Sequence, residues 1–442
     1  MTSRDYFKNK RIAVIGLGLH GEMVEDVKFL IKAGALVSVY DLKSEARLKN
    51  HLVFLRTIGL ANYVCGQIPE EDLLDMDMIV LSHEYSREST FLRSVVVMDK
   101  PIPIEYPETL FFKQAPPVTV VGVLGECGKS TLVSMLSPLF DIACTSDHGQ
   151  RFFVIDPESS SGILAHLKKI RSGDIVVVRI IGSMMKELYS IRISPHVAVF
   201  PSIPSDDSFS KSPFEILSYQ TYNNFIVASD EIIDMTHSLQ VQPKAKMLRT
   251  KISVIPASSG LSQRFHLHER NNLALALQTA SLFRVDTDEA SDTLLRWKPL
   301  KGRLEFIKKI KNVDFYNDSA SISPLSTKAG IESLSKGKNI VLIMGGVKSD
   351  GFYGPLYESL SKYVHTIILL PGSGTILERR SIEKIKEVNT KSVPTIEEAV
   401  RIAYESSRKG DIVLFSPAFE AGGADVSRKE RGERFVRAVR GL

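Results

Sequence analysis

The sequence lacks the features that mark several large classes of protein. Its 442 residues include only three cysteines, Cys65, Cys127 and Cys144, with no C-x-x-C pair. Cysteines this sparse and unpaired are typical of a reduced, cytoplasmic protein and not of a disulfide-stabilised secreted one. The opening residues MTSRDYFKNKR contain no apolar signal-peptide segment, and no apolar run approaches the roughly 20 residues of a membrane span. We therefore expect a cytoplasmic protein without membrane insertion.

A strong excess of charge is also missing. The formal net charge is +5 at pH 7, which is too small to create a field that would attract nucleic acid. The one basic cluster, SRKERGERFVRAVRGL, interleaves glutamate and apolar residues at helical spacing, as an exposed helix face does. We expect small-molecule partners, no nucleic acid, and a monomer.

Short apolar runs rich in β-branched residues alternate with amphipathic helical stretches along the whole chain. This alternation is typical of α/β units built around parallel sheets, and the length predicts about three of them. The paired prolines of FFKQAPPV indicate a linker near residue 115, and KPLKGRLEF opens a third unit near residue 300. We predict an α/β fold of three domains, spanning residues 1–114, 115–299 and 300–442.

The first unit carries a glycine loop of the dinucleotide-binding type. Gly16, Gly18 and Gly21 follow a predicted strand and precede a predicted helix, and Asp41 ends the second strand. The glycines allow a tight turn, the helix N-terminus offers N–H groups to a diphosphate, and the aspartate could bind a ribose or base. Taken alone, this pattern also fits an oxidoreductase that binds a nicotinamide cofactor.

A second glycine loop, GECGKST, stands between an apolar strand and an apolar helix in the middle unit. Its backbone N–H groups could cradle phosphates, its lysine could neutralise the β and γ oxygens, and a hydroxyl could ligate Mg²⁺. The sequence therefore predicts ATP and Mg²⁺ as cofactors. The candidate ATP-binding residues of this loop are Gly125, Gly128, Lys129, Ser130 and Thr131. Glu126 conflicts with them, because a carboxylate repels the phosphates that the loop should hold.

Six segments, in order along the chain, resemble motifs of the Mur ligase family. They are GLGLHG, GECGKST, KGRLEF, NDSASIS, MGGVKSDGF and LFSPAFEAGGADVSRKERGERF. The resemblance implies a three-domain architecture: a Rossmann-like N-terminal domain that binds a UDP substrate, a P-loop central ATPase domain and a Rossmann-like C-terminal domain that binds the amino acid. It also implies ATP-dependent amide formation through an acyl phosphate, in peptidoglycan precursor synthesis. The substrates implied are UDP-N-acetylmuramoyl-L-alanine and D-glutamate.

The resemblance assigns further roles to residues of the middle and third units. Arg303 stands where the family has its γ-phosphate arginine, Asn271 where it has an adenine contact, and Asp318 where it has a ribose contact. Lys348 and Ser416 match positions that hold the incoming amino acid. Together with Lys129, Arg303 and Lys348 are the implied catalytic residues, while Gly16, Gly18, Gly21 and Asp41 would hold the UDP substrate.

The middle unit departs from the family pattern at positions that handle metal and phosphate. Arg179 replaces a Mg²⁺-binding glutamate, Asp207 replaces a histidine, and Ala320 replaces a lysine. A cation cannot ligate Mg²⁺, whereas Asp207 and Ser130 remain candidate metal ligands. Two interpretations stay open: an active ligase, and a catalytically degenerate Mur-like protein that binds a nucleotide, a UDP-sugar or a partner. The oxidoreductase is a third alternative, but it leaves the second glycine loop unexplained.

Overall fold

The computed structural model describes residues 3–18, 21–98, 101–125, 127–146, 150–157, 161–202, 212–238, 243–265, 267–347, 352–421 and 428–442. Within these ranges the chain forms three sheets, each flanked by helices. The sheets follow one another along the sequence without exchanging strands. They correspond to the three predicted α/β units.

The first sheet is parallel throughout, in the order β3-β2-β1-β4-β5. Its strands are β1 (Arg11–Ile15), β2 (Leu36–Asp41), β3 (Asn62–Cys65), β4 (Met78–Leu81) and β5 (Ile104–Glu105). Its helices are α1 (Ser3–Phe7), α2 (Val24–Lys32), α3 (Glu45–Thr57), α4 (Glu70–Leu74), α5 (Arg93–Val96) and α6 (Pro107–Gln114). The first glycine loop connects β1, the central strand, to α2.

The second sheet is also parallel, in the order β11-β10-β9-β6-β8-β7. Its strands are β6 (Thr119–Val123), β7 (Phe152–Ile155), β8 (Ile175–Arg179), β9 (Val197–Val199), β10 (Phe225–Ala228) and β11 (Lys246–Arg249). Its helices are α7 (Lys129–Ser146), α8 (Gly182–Ser190), α9 (Ser212–Glu215), α10 (Asp230–Ser238), α11 (Leu261–Arg264), α12 (Leu267–Ser281) and α13 (Thr287–Arg296). Because β6 lies between β8 and β9, residues that follow all three strands meet at the second glycine loop.

The third sheet has the order β12-β13-β17-β14-β15-β16 and is parallel except for the antiparallel pair β12 and β13. Its strands are β12 (Glu305–Ile310), β13 (Val313–Asn317), β14 (Ile340–Met344), β15 (Val364–Leu369), β16 (Asn389–Ser392) and β17 (Ile412–Phe415). Its helices are α14 (Pro324–Leu334), α15 (Gly354–Tyr363), α16 (Ser373–Glu383), α17 (Ile396–Ser406) and α18 (Arg428–Arg440). The strands β14 and β17 are fully apolar and buried, as expected for a parallel sheet covered on both faces.

The first two units are packed more closely together than either is with the third. One cluster of buried side chains runs from Phe7 and Phe29 in the first unit to Leu164 and Ile226 in the middle unit. The buried clusters of the third unit contain only residues from Val313 onward. The predicted boundaries at 114/115 and 299/300 fall between α6 and β6 and between α13 and β12. That these boundaries separate independent domains stays a prediction.

Candidate functional site

The second glycine loop is held in shape by its own backbone and by the segment after β9. Gly125 and Gly128 have φ angles of 101° and 83°, which favour glycine. The Cys127 N–H donates to Ser202 Oγ at 3.0 Å, and the Lys129 ammonium donates to the Gly125 carbonyl. A Cβ at Gly125 would lie only 2.8 Å from the Ser202 carbonyl oxygen. Gly125, Cys127 and Lys129 are therefore held by contacts within the protein, and Glu126 lies outside the described residues.

A cleft of about 480 Å³ separates this loop from the third unit. Residues of both units line it, so a molecule bound there would contact the loop and the third sheet at once. The predicted site residues on its walls are Gly128, Lys129, Ser130, Thr131, Asn271, Arg303 and Asp318. Arg179 and Arg428 add two further guanidinium groups to the lining. The structure thus brings most of the predicted nucleotide site together in one place.

Arg303 joins the two walls of the cleft. Its Nη2 donates to Ser130 Oγ at 3.0 Å, across 173 residues of sequence. The arginine of KGRLEF therefore lies at the phosphate loop, and its predicted role at the γ-phosphate stays a prediction. The same contact occupies the hydroxyl that was predicted to ligate Mg²⁺.

Asp318 lies at the end of β13 and is 3% exposed. It accepts hydrogen bonds from the Leu304 N–H at 3.2 Å and from Ser416 Oγ at 2.7 Å. Burial raises the pKa of this carboxyl to about 6, although hydrogen bonds from Ser321 and Ser416 oppose the shift. Asp318 therefore positions the segment that carries Arg303 as well as lining the cleft.

Of the two predicted amino-acid contacts, only Ser416 lies within the described residues. Ser416 is fully buried behind Asp318, and its hydroxyl also lies 2.9 Å from the Thr327 hydroxyl. Lys348 lies outside the described residues, as does the candidate metal ligand Asp207. The roles assigned to all three residues stay predictions.

The structure adds polar residues to the cleft that sequence reasoning missed. Asn272 is 6% exposed, and its Oδ1 would lie 3.0 Å from a Cβ at Gly128, so it packs directly on the loop. The predicted Asn271 is exposed on the cleft wall. Neighbouring residues on a helix point about 100° apart, and the sequence NN carries no signal that says which one faces the loop.

Arg179 ends β8 beside the loop and is held by Asp156, which follows β7. The Arg179 Nε donates to Asp156 Oδ1 at 2.8 Å, and the arginine is 5% exposed. Asp156 was also missed, because 23 residues separate it from Arg179 and only the pairing of β7 with β8 brings them together.

The described side chains at the second loop do not form a Mg²⁺ site. Among the described residues no group of three or more His, Cys, Asp or Glu side chains is placed to hold a metal ion. Ser130 accepts a hydrogen bond from Arg303, and the neighbouring strand end carries the cation Arg179. Mg²⁺ prefers oxygen ligands in near-octahedral geometry, which this arrangement does not supply.

The first glycine loop forms a separate site. Gly16, Gly18 and Gly21 have φ angles of 82°, 85° and 81°. Asp41 is fully buried and accepts the N–H groups of Leu17 at 2.9 Å and of Lys43 at 2.8 Å. Its carboxylate thus fastens the loop to the end of β2.

A cleft of about 510 Å³ opens beside the first loop. It is lined by Leu42, Lys43, Ser44, Arg47, Glu84 and Tyr85. Binding of a UDP group by the glycines and Asp41 stays a prediction. A ligand in this cleft would contact charged side chains and the aromatic ring of Tyr85.

Comparison with known proteins identifies the relatives of this chain. Residues 302–419 match the family described as Mur ligase, glutamate ligase domain. A UDP-N-acetylmuramoylalanine–D-glutamate ligase of Clostridioides difficile (strain 630) is 25% identical, with 98% of this chain and 99% of the relative covered. The ligase of that name from Geotalea daltonii is 28% identical, with 98% of both chains covered. The resemblance to the Mur ligases is confirmed.

Solved Mur ligase structures share the fold. The UDP-N-acetylmuramate-alanine ligase of Thermotoga maritima aligns with a TM-score of 0.57 at 14% identity, covering 98% of this chain and all of that one. A MurF ligase of the same organism, solved in complex with ADP, aligns with a TM-score of 0.53 at 13% identity, covering 99% and 97% of the two chains. The predicted three-domain α/β architecture of the Mur ligases is therefore confirmed.

No helix within the described ranges of this Mur ligase homologue combines the length and apolar character that crossing a membrane requires.

Proposed function

We propose that this protein is an ATP-dependent ligase of peptidoglycan precursor synthesis that joins D-glutamate to UDP-N-acetylmuramoyl-L-alanine. The observation that carries the proposal is the contact between Arg303 and Ser130. It places an arginine of the third unit on the phosphate loop of the middle unit. The relatives named for this reaction match nearly the full length of the chain.

In the proposed reaction, the carboxylate of the UDP substrate attacks the γ-phosphoryl group of ATP, which breaks the bond to the β–γ bridging oxygen, releases ADP and forms an acyl phosphate. The amine of D-glutamate then displaces phosphate to form the amide. The first step brings two anions together, so cations must stabilise the developing charge. Lys129 and Arg303 supply two positive charges on the walls of the cleft. Mg²⁺ remains a predicted cofactor, although the described side chains of the cleft do not provide a set of ligands for it.

The first unit would hold the UDP group. Asp41 holds the start of its glycine loop through the Leu17 N–H, and Lys43 and Arg47 line the neighbouring cleft. A UDP diphosphate requires N–H donors and positive charge, and the start of α2 together with these two side chains would supply both. The amino-acid substrate would approach from the third unit, for which Lys348 and Ser416 are the predicted contacts.

A second candidate is a Mur-like protein that binds the nucleotide without ligation. One observation favours it. Arg179 and Ser130, whose hydroxyl accepts from Arg303, stand where the reaction would need metal ligands. Phosphate release from ATP distinguishes the two candidates. Release that requires both UDP-N-acetylmuramoyl-L-alanine and D-glutamate supports the ligase, whereas ADP binding without any release supports the binding protein.

A further inference from the structure

Arg179 occupies a specific place relative to the phosphate loop. The strands β6 and β8 are parallel neighbours, and Arg179 is paired with Val123, the last residue of β6. The loop begins directly after Val123, so the arginine stands at its entrance and lines the cleft with Lys129 and Arg303. In P-loop enzymes, Mg²⁺ is held by the loop hydroxyl together with an aspartate supplied from another motif.

The guanidinium of Arg179 is fixed in orientation. Asp156 holds it through Nε at 2.8 Å and through Nη2 at 2.6 Å. The arginine side chain is 6% exposed and the aspartate side chain is 34% exposed. A guanidinium held this way is preorganised, because its planar fork loses little freedom when it binds an anion.

The same two strands carry a second arginine–aspartate pair at their opposite ends. Arg151 precedes β7 and Asp174 precedes β8, with Nη2 at 2.6 Å from Oδ2. Neither of these residues lines the cleft. Both pairs are arginine–aspartate ion pairs at ends of β7 and β8, but only one of them lies at the loop. Arg151 is therefore a matched control for Arg179.

The charges at the loop favour phosphate oxygens over a divalent cation. A guanidinium repels Mg²⁺ and forms charge-assisted, often bidentate, hydrogen bonds with phosphate. Arg303 adds a second guanidinium at the loop, since it donates to the hydroxyl of Ser130. Of the two positions described at the loop where the resemblance implies metal ligands, one is therefore Arg179 and the other, Ser130, accepts from Arg303.

We propose that Arg179 takes the place of a metal ion against the nucleotide phosphates, so that the cleft binds metal-free ADP at least as tightly as its magnesium complex. This inference rests on the proposed nucleotide binding by the phosphate loop and specifies which form of the nucleotide the site takes.

Calorimetry with the full chain tests the proposal, with ADP titrated once in EDTA and once in excess MgCl₂. We expect binding in EDTA to be as tight as in MgCl₂ or tighter. Loss of a charged hydrogen-bonding partner typically weakens binding by about tenfold or more, so Arg179→Gln should weaken binding in EDTA by that factor. Arg151→Gln should leave it unchanged. Arg179→Glu should bind ADP only when Mg²⁺ is present.

Each other outcome has a definite meaning. If EDTA weakens ADP binding by the wild type tenfold, the proposal is overturned, whereas the proposed function remains intact. Equal binding by the wild type and Arg179→Gln would remove Arg179 from the site. Absence of ADP binding in both buffers would overturn the proposed function itself. If thermal melting shows that Arg179→Gln is unfolded, the comparison of wild-type ADP binding in EDTA and in MgCl₂ still tests the proposal. Arg179→Lys, which keeps the positive charge, then replaces Arg179→Gln.

Discussion

The two glycine loops of this protein look alike in sequence and differ in what surrounds them. Both leave an interior strand of a parallel sheet and enter a helix. The first is fastened by a buried carboxylate, Asp41, whereas the second is fastened by Ser202 and by its own Lys129. Two arginines from other elements then line the cleft at the second loop: Arg179 from the neighbouring strand and Arg303 from the third unit.

From this difference we expect the surroundings of each glycine loop, more than the loop itself, to determine the charge of its ligand. Backbone N–H groups at a helix start favour any anion. A polyphosphate carries more negative charge than a sugar-linked diphosphate and therefore needs additional cations, which the second loop has. The predictions that follow test whether the two loops serve separate ligands.

The largest expected effect is on turnover in Arg303→Ala. A transition-state arginine in phosphoryl transfer contributes about 10³-fold or more to the rate. We expect phosphate release to fall by about that factor, while the affinity for the UDP substrate at the first loop stays unchanged. Arg296→Ala, at an exposed position of α13, serves as the control. Full turnover in Arg303→Ala would show that this arginine of the third unit takes no part in the reaction.

The next largest effect is on nucleotide affinity in Lys129→Ala. Because a charge-assisted hydrogen bond contributes roughly 1.5–3 kcal/mol, we expect ADP binding by calorimetry to weaken by one to two orders of magnitude, on the order of 10–100-fold. Lys186→Ala changes an exposed lysine of α8 and should bind ADP as the wild type does. Unchanged affinity in Lys129→Ala would mean that the loop no longer binds nucleotide.

A crossed pair of glycine variants separates the two loops. Gly16→Ala would place a Cβ 2.4 Å from Ser82 Oγ, and Gly128→Ala would place one 3.0 Å from Asn272 Oδ1. Each would also force alanine into the left-handed region, at a cost of about 1–2 kcal/mol.

We expect Gly16→Ala to reduce the thermal stabilisation given by UDP-N-acetylmuramoyl-L-alanine and to leave that given by ADP unchanged. Gly128→Ala should do the reverse. If both variants lose the response to the same ligand, the two loops do not serve separate ligands.

A smaller effect is expected in Glu126→Thr. Like charges about 4 Å apart repel each other by up to about 4 kcal/mol at an effective dielectric of 20, before water and ions screen them. Removal of this carboxylate should tighten ADP binding severalfold, with the largest gain at low ionic strength. A gain that is independent of salt would contradict an electrostatic cause.

The last prediction concerns the contact between the first and middle units, which carry the two loops. We expect a change there to affect ligand binding least and to have a clear effect on stability. Asp26 of α2 is 2% exposed and accepts the Leu164 N–H of the middle unit at 2.6 Å. Burial, with Glu108 and Glu25 nearby, raises the pKa of its carboxyl from 3.8 to about 7. Because the folded state holds this proton more tightly than the unfolded state, stability is lost as the pH rises from about 4 to 7.

In Asp26→Asn this titration is absent, while the side-chain oxygen can still accept from Leu164. We expect the wild type to lose several degrees of Tm between pH 5 and pH 8, and the variant to lose less. Parallel Tm curves for the two proteins would show that Asp26 does not titrate in this range.

Much of the fold could be predicted from the sequence because its signals are local. The apolar β-rich runs and the helical stretches between them were enough to predict three α/β units. The glycines that follow predicted strands were enough to predict the two loops. The KGRLEF motif pointed to a phosphate-binding role for Arg303, and this arginine lies at the second loop. These features depend on short segments whose physical requirements can be read directly from the residues.

The partners of the loop residues could not be predicted in the same way. Ser202 and Asp156 carry no motif. Ser202 reaches the second loop because β9 flanks β6, and Asp156 reaches Arg179 because β7 pairs with β8. Their roles depend on the order of the strands, which a single sequence does not specify. Asn272 was missed for a different reason, since two consecutive asparagines differ only in the direction in which they leave the helix.

The central claim is that the second loop and the third unit form one site that activates a carboxylate with ATP. The most direct test is mass spectrometry of the UDP-linked product after incubation with ATP, UDP-N-acetylmuramoyl-L-alanine and D-glutamate. We predict a product heavier than the substrate by one glutamyl residue, which disappears when ATP is omitted or Arg303 is replaced by alanine. An unchanged substrate mass, in a preparation that binds ADP by calorimetry, would contradict the ligase and leave a nucleotide-binding protein.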